Sequence, residues 1–162
     1  AVPELLKKEN IDVFVRRGVY TKSEAIARAN IQLDTYIKNI RIEAKVALDM
    51  LRKDIYPATA AYTEKLCDSL SAKKSLFALN CAKEEALIKT LAEKQEKLLE
   101  ESEALENALD TLPEERLAAA KACAHIVCPA MNELRKTADE AENLCSAEEW
   151  TLPRYVDLLY SV

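Results

Sequence analysis

Apolar residues recur every three or four positions along most of this chain, which is the spacing of one face of an α-helix. The first such stripe comprises Ile26, Leu33, Ile37, Ile40, Ala44, Ala47, Leu51, Ile55, Ala58, Tyr62, Leu66 and Leu70. We predict one long helix over residues 22–79, begun by a capping box in which the side chains of Thr21 and Glu24 accept hydrogen bonds from each other's backbone amides. Pro57 lies inside the stripe, where it removes a backbone hydrogen bond, so we predict a kink there.

Two further long helices follow from the pattern. Leucines seven residues apart, at Leu91, Leu98, Leu105 and Leu112, predict a helix over residues 83–110. A third stripe comprises Leu117, Ala120, Ala124, Val127, Met131, Leu134, Ala138, Ala141 and Cys145. It predicts a helix over residues 113–145, with Pro113 near its first turn and a second kink at Pro129.

Short helices are predicted at both ends. Asn10 is placed to cap a helix over residues 10–17, and Gly18 stands where a left-handed residue would end it. A last helix is predicted over residues 153–161. The predicted fold class is therefore all-α: an elongated antiparallel bundle of three to four long helices with short terminal helices, in a single domain over residues 1–162.

Composition agrees with this prediction and excludes several classes of function. A single glycine argues against folds with many tight turns or a phosphate-binding loop. The net charge of −5 argues against a nucleic-acid partner. Residues 117–131 form the longest apolar stretch, but Lys121, His125 and Pro129 interrupt it, so no membrane span is expected. Five cysteines, an odd number without paired spacing, favour reduced thiols in a cytoplasmic protein.

Candidate chemistry is weak throughout the sequence. Cys123, His125 and Cys128 lie close together, but at about 100° per helical residue they point in different directions and cannot bind one metal ion. The acidic residues Glu100, Glu101, Glu103 and Glu106 fit a solvated helix face better than a catalytic pair. Glu43, Asp49 and Asp54 are expected to form salt bridges with Arg41, Lys45 or Lys53. No catalytic, cofactor-binding or metal-binding residue is predicted.

The final segment is the best candidate for a role beyond packing. Its residues Trp150, Pro153, Tyr155, Leu158, Leu159 and Tyr160 include more large side chains than so short a helix needs, and such residues often anchor interfaces. They could equally fold back onto the bundle.

Four groups of residues resemble the C-terminal region of type III glutamine synthetases. They are Asn10, Val13, Phe14, Arg17, Gly18, Val19, Thr21 and Glu24; then Tyr36, Lys38, Ile40, Ile42, Glu43, Ala44, Asp49, Met50, Ile55, Pro57 and Ala58; then Pro129, Ala130, Met131, Leu134, Arg135, Ala138, Asp139 and Glu140; and finally Trp150, Pro153, Tyr155, Asp157, Leu158, Leu159 and Val162. The closing group is the most specific of the four.

The resemblance implies that the chain is the last part of a bacterial enzyme that makes glutamine from glutamate, ammonia and ATP. It implies upstream catalytic domains as partners, a homo-oligomeric parent enzyme, and ATP and magnesium bound outside this chain. None of the family's catalytic motifs is present, so the chain itself is expected to be inactive and to support assembly or stability. The alternative is an independent helical interaction module that binds another protein through the leucines at 91, 98 and 105.

Overall fold

The computed structural model describes Glu4 and residues 6–77, 79–153 and 155–160, and within these ranges the regular structure is entirely helical. The predicted all-α class is confirmed. The elements are α1 (Lys8–Arg16), α2 (Lys22–Met50), π1 (Leu51–Ile55), α3 (Tyr56–Phe77), α4 (Ala82–Asp110), α5 (Arg116–Ala122), π2 (Cys123–Val127), α6 (Cys128–Glu142) and α7 (Tyr155–Tyr160). The elements α2, π1 and α3 follow one another without a break, as do α5, π2 and α6.

Helix α1 ends as predicted but begins earlier. Gly18 has a φ of 66°, the left-handed conformation that terminates a helix at little cost for glycine. The prediction that Asn10 caps the helix is wrong, because α1 begins at Lys8 and places Asn10 within its first turn. The Asn10 side-chain amide instead donates to the carbonyl of Glu4 at 2.7 Å.

Two helix starts are held by acidic side chains. The capping box before α2 is confirmed: the Thr21 amide donates to the Glu24 carboxylate at 2.8 Å, and the Glu24 amide donates to the Thr21 hydroxyl at 3.3 Å. The predicted start at Pro113 is wrong by a few residues. Glu115 caps α5, and its carboxylate accepts from the amides of Leu117 and Ala118 at 2.9 and 2.6 Å.

The two internal prolines are each preceded by a π turn, in which the backbone hydrogen bond spans five residues instead of four. The Tyr56 amide donates to the Leu51 carbonyl just before Pro57. The Cys128 amide likewise donates to the Cys123 carbonyl just before Pro129. A proline ring clashes with the carbonyl four residues earlier, and the wider turn accommodates it. A π turn therefore precedes each proline, and the kinks predicted at Pro57 and Pro129 stay a prediction.

The π turn corrects the third stripe at one position. Ala124 is exposed, whereas Cys123 beside it is fully buried. Because a π turn contains an extra residue, it shifts which side chain faces inward. By contrast, every member of the first stripe is buried or half-buried, including those on both sides of π1.

The chain forms two compact units. The first contains Ala1–Lys45 and Asn107–Pro129. Its core consists of small and medium apolar residues: Ile11, Ala25, Ala29, Leu33, Ile40, Ala44, Leu109, Ala119, Ala120, Cys123 and Val127. Arg116 is tied to Asp34 by two contacts of 2.9 and 3.1 Å. Alanines at these positions allow neighbouring helix backbones to approach closely.

The second unit contains Val46–Glu106 and Ala130–Val162. Within it, α3 and α4 form an antiparallel hairpin. The side-chain contacts show this, because residues further along the π1–α3 segment contact residues earlier in α4. Arg52 pairs with Glu106 at 2.6 Å, Gln95 donates to Thr63 at 2.8 Å, and Lys73 pairs with Glu84 near the connecting turn. Helix α6 is joined to this hairpin through Lys94 and Glu140 at 2.5 Å.

The leucines of α4 form the centre of the second unit. Leu91, Leu98 and Leu105 are each 0% exposed, so they pack inside the chain's own fold. The alternative prediction, in which these leucines bind another protein, is therefore wrong about the surface it names. A residue that is already fully buried cannot also provide a docking seam without unfolding the hairpin.

Candidate docking surfaces

Titratable side chains in the described part of the chain form ion pairs and no convergent site. No group of three or more histidine, cysteine or acidic side chains there is arranged to hold a metal ion. Asp49 pairs with Lys53 at 2.6 Å, as expected from the sequence. Glu101, which was expected on a solvated face, has a side chain only 16% exposed and lies 3.5 Å from Lys97. Such pairs stabilise helices and helix contacts and supply no acid–base couple.

The cysteines near Pro129 lie closer in orientation than regular helix geometry predicts. Because π2 separates Cys123 and Cys128 by a single wide turn, the two thiols face the same region, and the Tyr36 hydroxyl lies 3.9 Å from the Cys128 sulfur. The predicted divergence of these two cysteines is therefore wrong, while His125 is exposed. Burial, followed by the neighbouring Cys128, raises the pKa of the Cys123 thiol. A thiol held in its protonated form is a poor nucleophile and a poor metal ligand.

An open cavity of about 420 Å³ lies in the first unit, beside the turn between α1 and α2. Aromatic residues form one side: the rings of Phe14 and Tyr20 are 5.7 Å apart and tilted by 56°. Ala25 and Ala29 lie at its base and are themselves buried. The cavity exists because two consecutive turns of α2 carry alanine where larger side chains would fill the space.

Arg28 lines the same cavity, with its guanidinium carbon 4.7 Å from the centre of the Tyr20 ring. Stacking of this kind holds an arginine in place while leaving its N–H groups directed outward. Within the described ranges, Arg28 makes no salt bridge within 4 Å, although its charge adds to the hydrogen bonds from Thr21 in lowering the pKa of the Glu24 carboxylate one turn earlier. The cavity is therefore an apolar recess with one fixed cation at its edge.

Exposed large apolar side chains occur in this cavity's lining and next to lining residues in the sequence. Ile31, a lining residue, is 64% exposed, and Val19 and Val13 in the adjoining segment are 55% and 49% exposed. Single exposed apolar residues are common on soluble proteins, but a group around a recess indicates a contact surface. We call this group and its recess the α1–α2 cavity.

A second apolar surface lies at the end of the α3–α4 hairpin. Leu76, Phe77 and Leu79 are 73%, 69% and 53% exposed, and we call them the hairpin tip. The charged residues beside the tip pair with one another across the hairpin, Lys73 with Glu84 and Lys74 with Glu85. The tip is therefore an apolar projection whose neighbouring charges are already neutralised.

The predicted interface at the end of the chain divides into two parts. Trp150 is only 9% exposed, and its neighbour Glu149 pairs with Lys65 of α3, so this part packs on the second unit itself. Leu158 and Leu159 are 65% and 72% exposed, and Pro153 is exposed. The side chains of Tyr155 and Tyr160 lie outside the described part of the structure. Only the exposed members remain candidates for contact with another surface.

Sequence reasoning did not identify the cavity or the hairpin tip. The tip had a local signal, because Leu76, Phe77 and Leu79 stand near the boundary between the helices predicted over residues 22–79 and 83–110, where polar residues are usual. The cavity had none, because the alanines that create it also fit an ordinary buried stripe.

Comparisons with known proteins show which proteins this chain is similar to. Residues 1–74 match the family model described as the glutamine synthetase C-terminal domain. The chain is 34% identical to the glutamine synthetase of Butyrivibrio fibrisolvens, over 99% of this chain and 23% of that protein. It is 25% identical to the type-3 glutamine synthetase of Dictyostelium discoideum, over 99% of this chain and 23% of that protein. The chain matches the C-terminal domain of type III glutamine synthetases.

The resemblance inferred from the sequence is thereby confirmed. The chain is also 23% identical to the glutamine synthetase of Bacteroides fragilis (strain YCH46), over 99% of the chain and 24% of the relative. It thus spans about a quarter of the length of each of these relatives. The segment matched by the family model includes the α1–α2 cavity and most of α3. No helix in the described residues is long and apolar enough to span a membrane.

Proposed function

We propose that this chain is the non-catalytic C-terminal helical domain of a type III glutamine synthetase, and that it supports assembly or stability of the parent enzyme. The observation that carries the proposal is similarity to glutamine synthetases over 99% of the chain, which spans only about a quarter of their length. The parent enzyme would make glutamine from glutamate, ammonia and ATP in the cytoplasm, as a homo-oligomer.

The residues of this chain do not fit the cofactors of that reaction. Magnesium bound to ATP needs carboxylate oxygens and phosphate ligands that converge on the ion. In the described ranges no three carboxylate, histidine or cysteine side chains are arranged to hold a metal ion, and Glu115 caps a helix. The α1–α2 cavity offers a single cation, Arg28, and no second group to neutralise a triphosphate. We therefore derive no catalytic step in this chain, and the parent's ATP and magnesium would bind in its upstream catalytic domains.

A supporting role agrees with how the exposed apolar residues are distributed. The first unit exposes Ile31 and Val19 around a recess, and the second exposes Phe77 at its tip and Leu159 near its end. These surfaces are suited to contact with other parts of a larger protein, which are the parent's own catalytic domains and its other subunits. A domain that contributes only surfaces and packing is expected to affect assembly without supplying reacting groups.

The test compares the parent polypeptide with a version that ends before Ala1. Light scattering, thermal unfolding and glutamine formation from glutamate, ammonia and ATP are measured for both, and activity is also measured for the isolated chain. We expect the shortened enzyme to lose its full assembly or to unfold at a lower temperature, and the isolated chain to be inactive. An unchanged mass, melting temperature and activity in the shortened enzyme would contradict the supporting role.

A further inference from the structure

The hairpin tip and the α1–α2 cavity are complementary in shape and chemistry. The tip presents Leu76, Phe77 and Leu79, of which Phe77 is the last residue of α3. The cavity provides about 420 Å³ of space between aromatic rings and alanines, within the size range of pockets that hold an aromatic group. When two copies meet, the exposed phenylalanine of one can bury its ring in the aromatic-lined recess of the other.

The charges at the two surfaces agree with this pairing. The last carbonyl groups of a helix lack intrahelical partners and carry the negative end of its dipole, so the end of α3 at Phe77 attracts a cation. Arg28 is such a cation: it stacks on Tyr20 at the cavity edge and interacts with Glu24 one turn earlier through charge alone, with no salt bridge closer than 4 Å in the described ranges. Meanwhile Lys73 and Lys74 are neutralised by Glu84 and Glu85, so they do not repel Arg28 as free lysines would.

We propose that the hairpin tip of one copy of this chain docks in the α1–α2 cavity of a second copy. Phe77 enters the recess beside the Phe14 and Tyr20 rings, against Ala25 and Ala29, and the Arg28 guanidinium donates hydrogen bonds to the terminal carbonyls of α3. The tip and the cavity are different surfaces, so a single contact is heterologous, and the pair keeps one free tip and one free cavity for further neighbours. The proposal rests on the supporting role proposed above, because it names one contact through which the domain would promote assembly.

The mass of the complete 162-residue chain is measured by sedimentation and light scattering as its concentration is raised. We expect concentration-dependent growth beyond the dimer, because a heterologous contact propagates. We also expect growth to increase with salt, which screens repulsion between copies of net charge −5. Phe77→Glu and Ile31→Glu should each weaken association at least tenfold, and Arg28→Gln several-fold. Leu159→Glu is the matched control, since it also replaces an exposed apolar residue but should leave association unchanged.

Mixing the two damaged variants provides the decisive experiment. Phe77→Glu retains an intact cavity and Ile31→Glu an intact tip, so an equimolar mixture should form a one-to-one complex that grows no further. Helical content and melting temperature should be unchanged in each variant, because both residues are exposed.

Three results would overturn the proposal: a chain that stays monomeric at every concentration, equal loss of association in Leu159→Glu, or a mixture that fails to restore the complex. None of these results would by itself remove the supporting role, because shortening the parent enzyme tests that role separately.

Discussion

The carboxylates of Glu24 and Glu115 accept hydrogen bonds at the starts of α2 and α5, and their protonation depends on pH. Hydrogen bonds from the amides of Leu117 and Ala118 lower the pKa of Glu115 from its ordinary value of 4.5. The bond from the Thr21 amide has the same effect on the pKa of Glu24. A carboxyl group whose pKa is lower in the folded state stabilises folding above its unfolded pKa. That contribution is lost as the pH falls through the folded pKa.

We therefore predict that Glu115→Gln lowers the melting temperature at pH 7, and that the difference from the unmodified chain shrinks as the pH falls below 4.5 through the lowered pKa of Glu115. The neutral amide still accepts hydrogen bonds but lacks the charge that favours a helix start. Glu114→Gln is the matched control, because Glu114 is exposed and does not cap α5. Melting curves over this pH range test the prediction, and a gap that stays constant with pH would contradict it.

Predictions of individual hydrogen bonds from the sequence succeeded where the two bonded residues are close in the chain. Thr21 and Glu24 are three residues apart, so their capping box could be recognised without knowledge of the fold. Glu115 was missed because Pro113, two residues earlier, is an equally plausible start. The proximity of Cys123 and Cys128 was missed because the angle between them depends on the turn that connects them, and regular α-helix geometry was assumed.

At the level of elements, the π turns keep the buried stripes continuous across the prolines. An α-helix rotates by about 100° per residue, so one extra residue would normally turn the following side chains away from the core. In π1 that residue is absorbed in a single wide turn, and Leu51 and Ile55 on its two sides are both buried. The sequence predicted a kink at Pro57, and the structure shows a π turn directly before it. The form it takes depends on backbone hydrogen bonding that the apolar pattern does not encode.

We predict that one residue can be removed from π1 without loss of the fold. In a Pro57→Ala background, deletion of the exposed Lys53 should convert π1 into a regular α-turn and preserve the buried stripe on both sides. Deletion of the exposed Lys38 in the same background is the control. Lys38 lies in regular helix, so its removal should rotate one part of the stripe by about 100° and cause severe destabilisation. Helical content and urea unfolding measure both, and equal damage from the two deletions would contradict the prediction.

At the level of the whole molecule, the leucines of α4 that the alternative prediction assigned to a binding surface are buried, and we expect them to contribute strongly to stability. Leu98 is 0% exposed, whereas its neighbour Leu99 is 38% exposed. We predict that Leu98→Ala lowers the free energy of unfolding by about 2–5 kcal/mol, and that Leu99→Ala costs no more than about 1 kcal/mol. Urea titrations followed by circular dichroism compare the two. Similar losses would indicate that α4 is not packed as the structure describes.

The apolar pattern was sufficient for the all-α class and for most of the buried residues, because burial on a helix follows its period. It could not show which exposed apolar residues would gather into surfaces. Phe14, Tyr20 and Arg28 form the cavity only after the turn at Gly18 brings α1 beside α2. Phe77 is left outside because its helix ends at that residue, and no short-range pattern determines what covers a helix end.

The burial of Trp150 can be measured directly, and it tests how the end of the chain is arranged. The interface prediction grouped it with Leu158 and Leu159, but the structure buries Trp150 beside the Lys65–Glu149 pair and exposes the two leucines. It is the only tryptophan in the chain, so its fluorescence reports this site alone.

We predict a blue-shifted emission that acrylamide quenches poorly, and a red shift in urea with the same midpoint as the loss of helix, because one cooperative unit then unfolds. Lys65→Ala should increase quenching with little loss of helix, since it removes the pair that holds Glu149. Leu158→Asp combined with Leu159→Asp should leave emission and midpoint unchanged. Strong quenching of Trp150 in the unmodified chain would mean that the indole is exposed. Trp150 would then again be a candidate interface residue, together with Leu158 and Leu159.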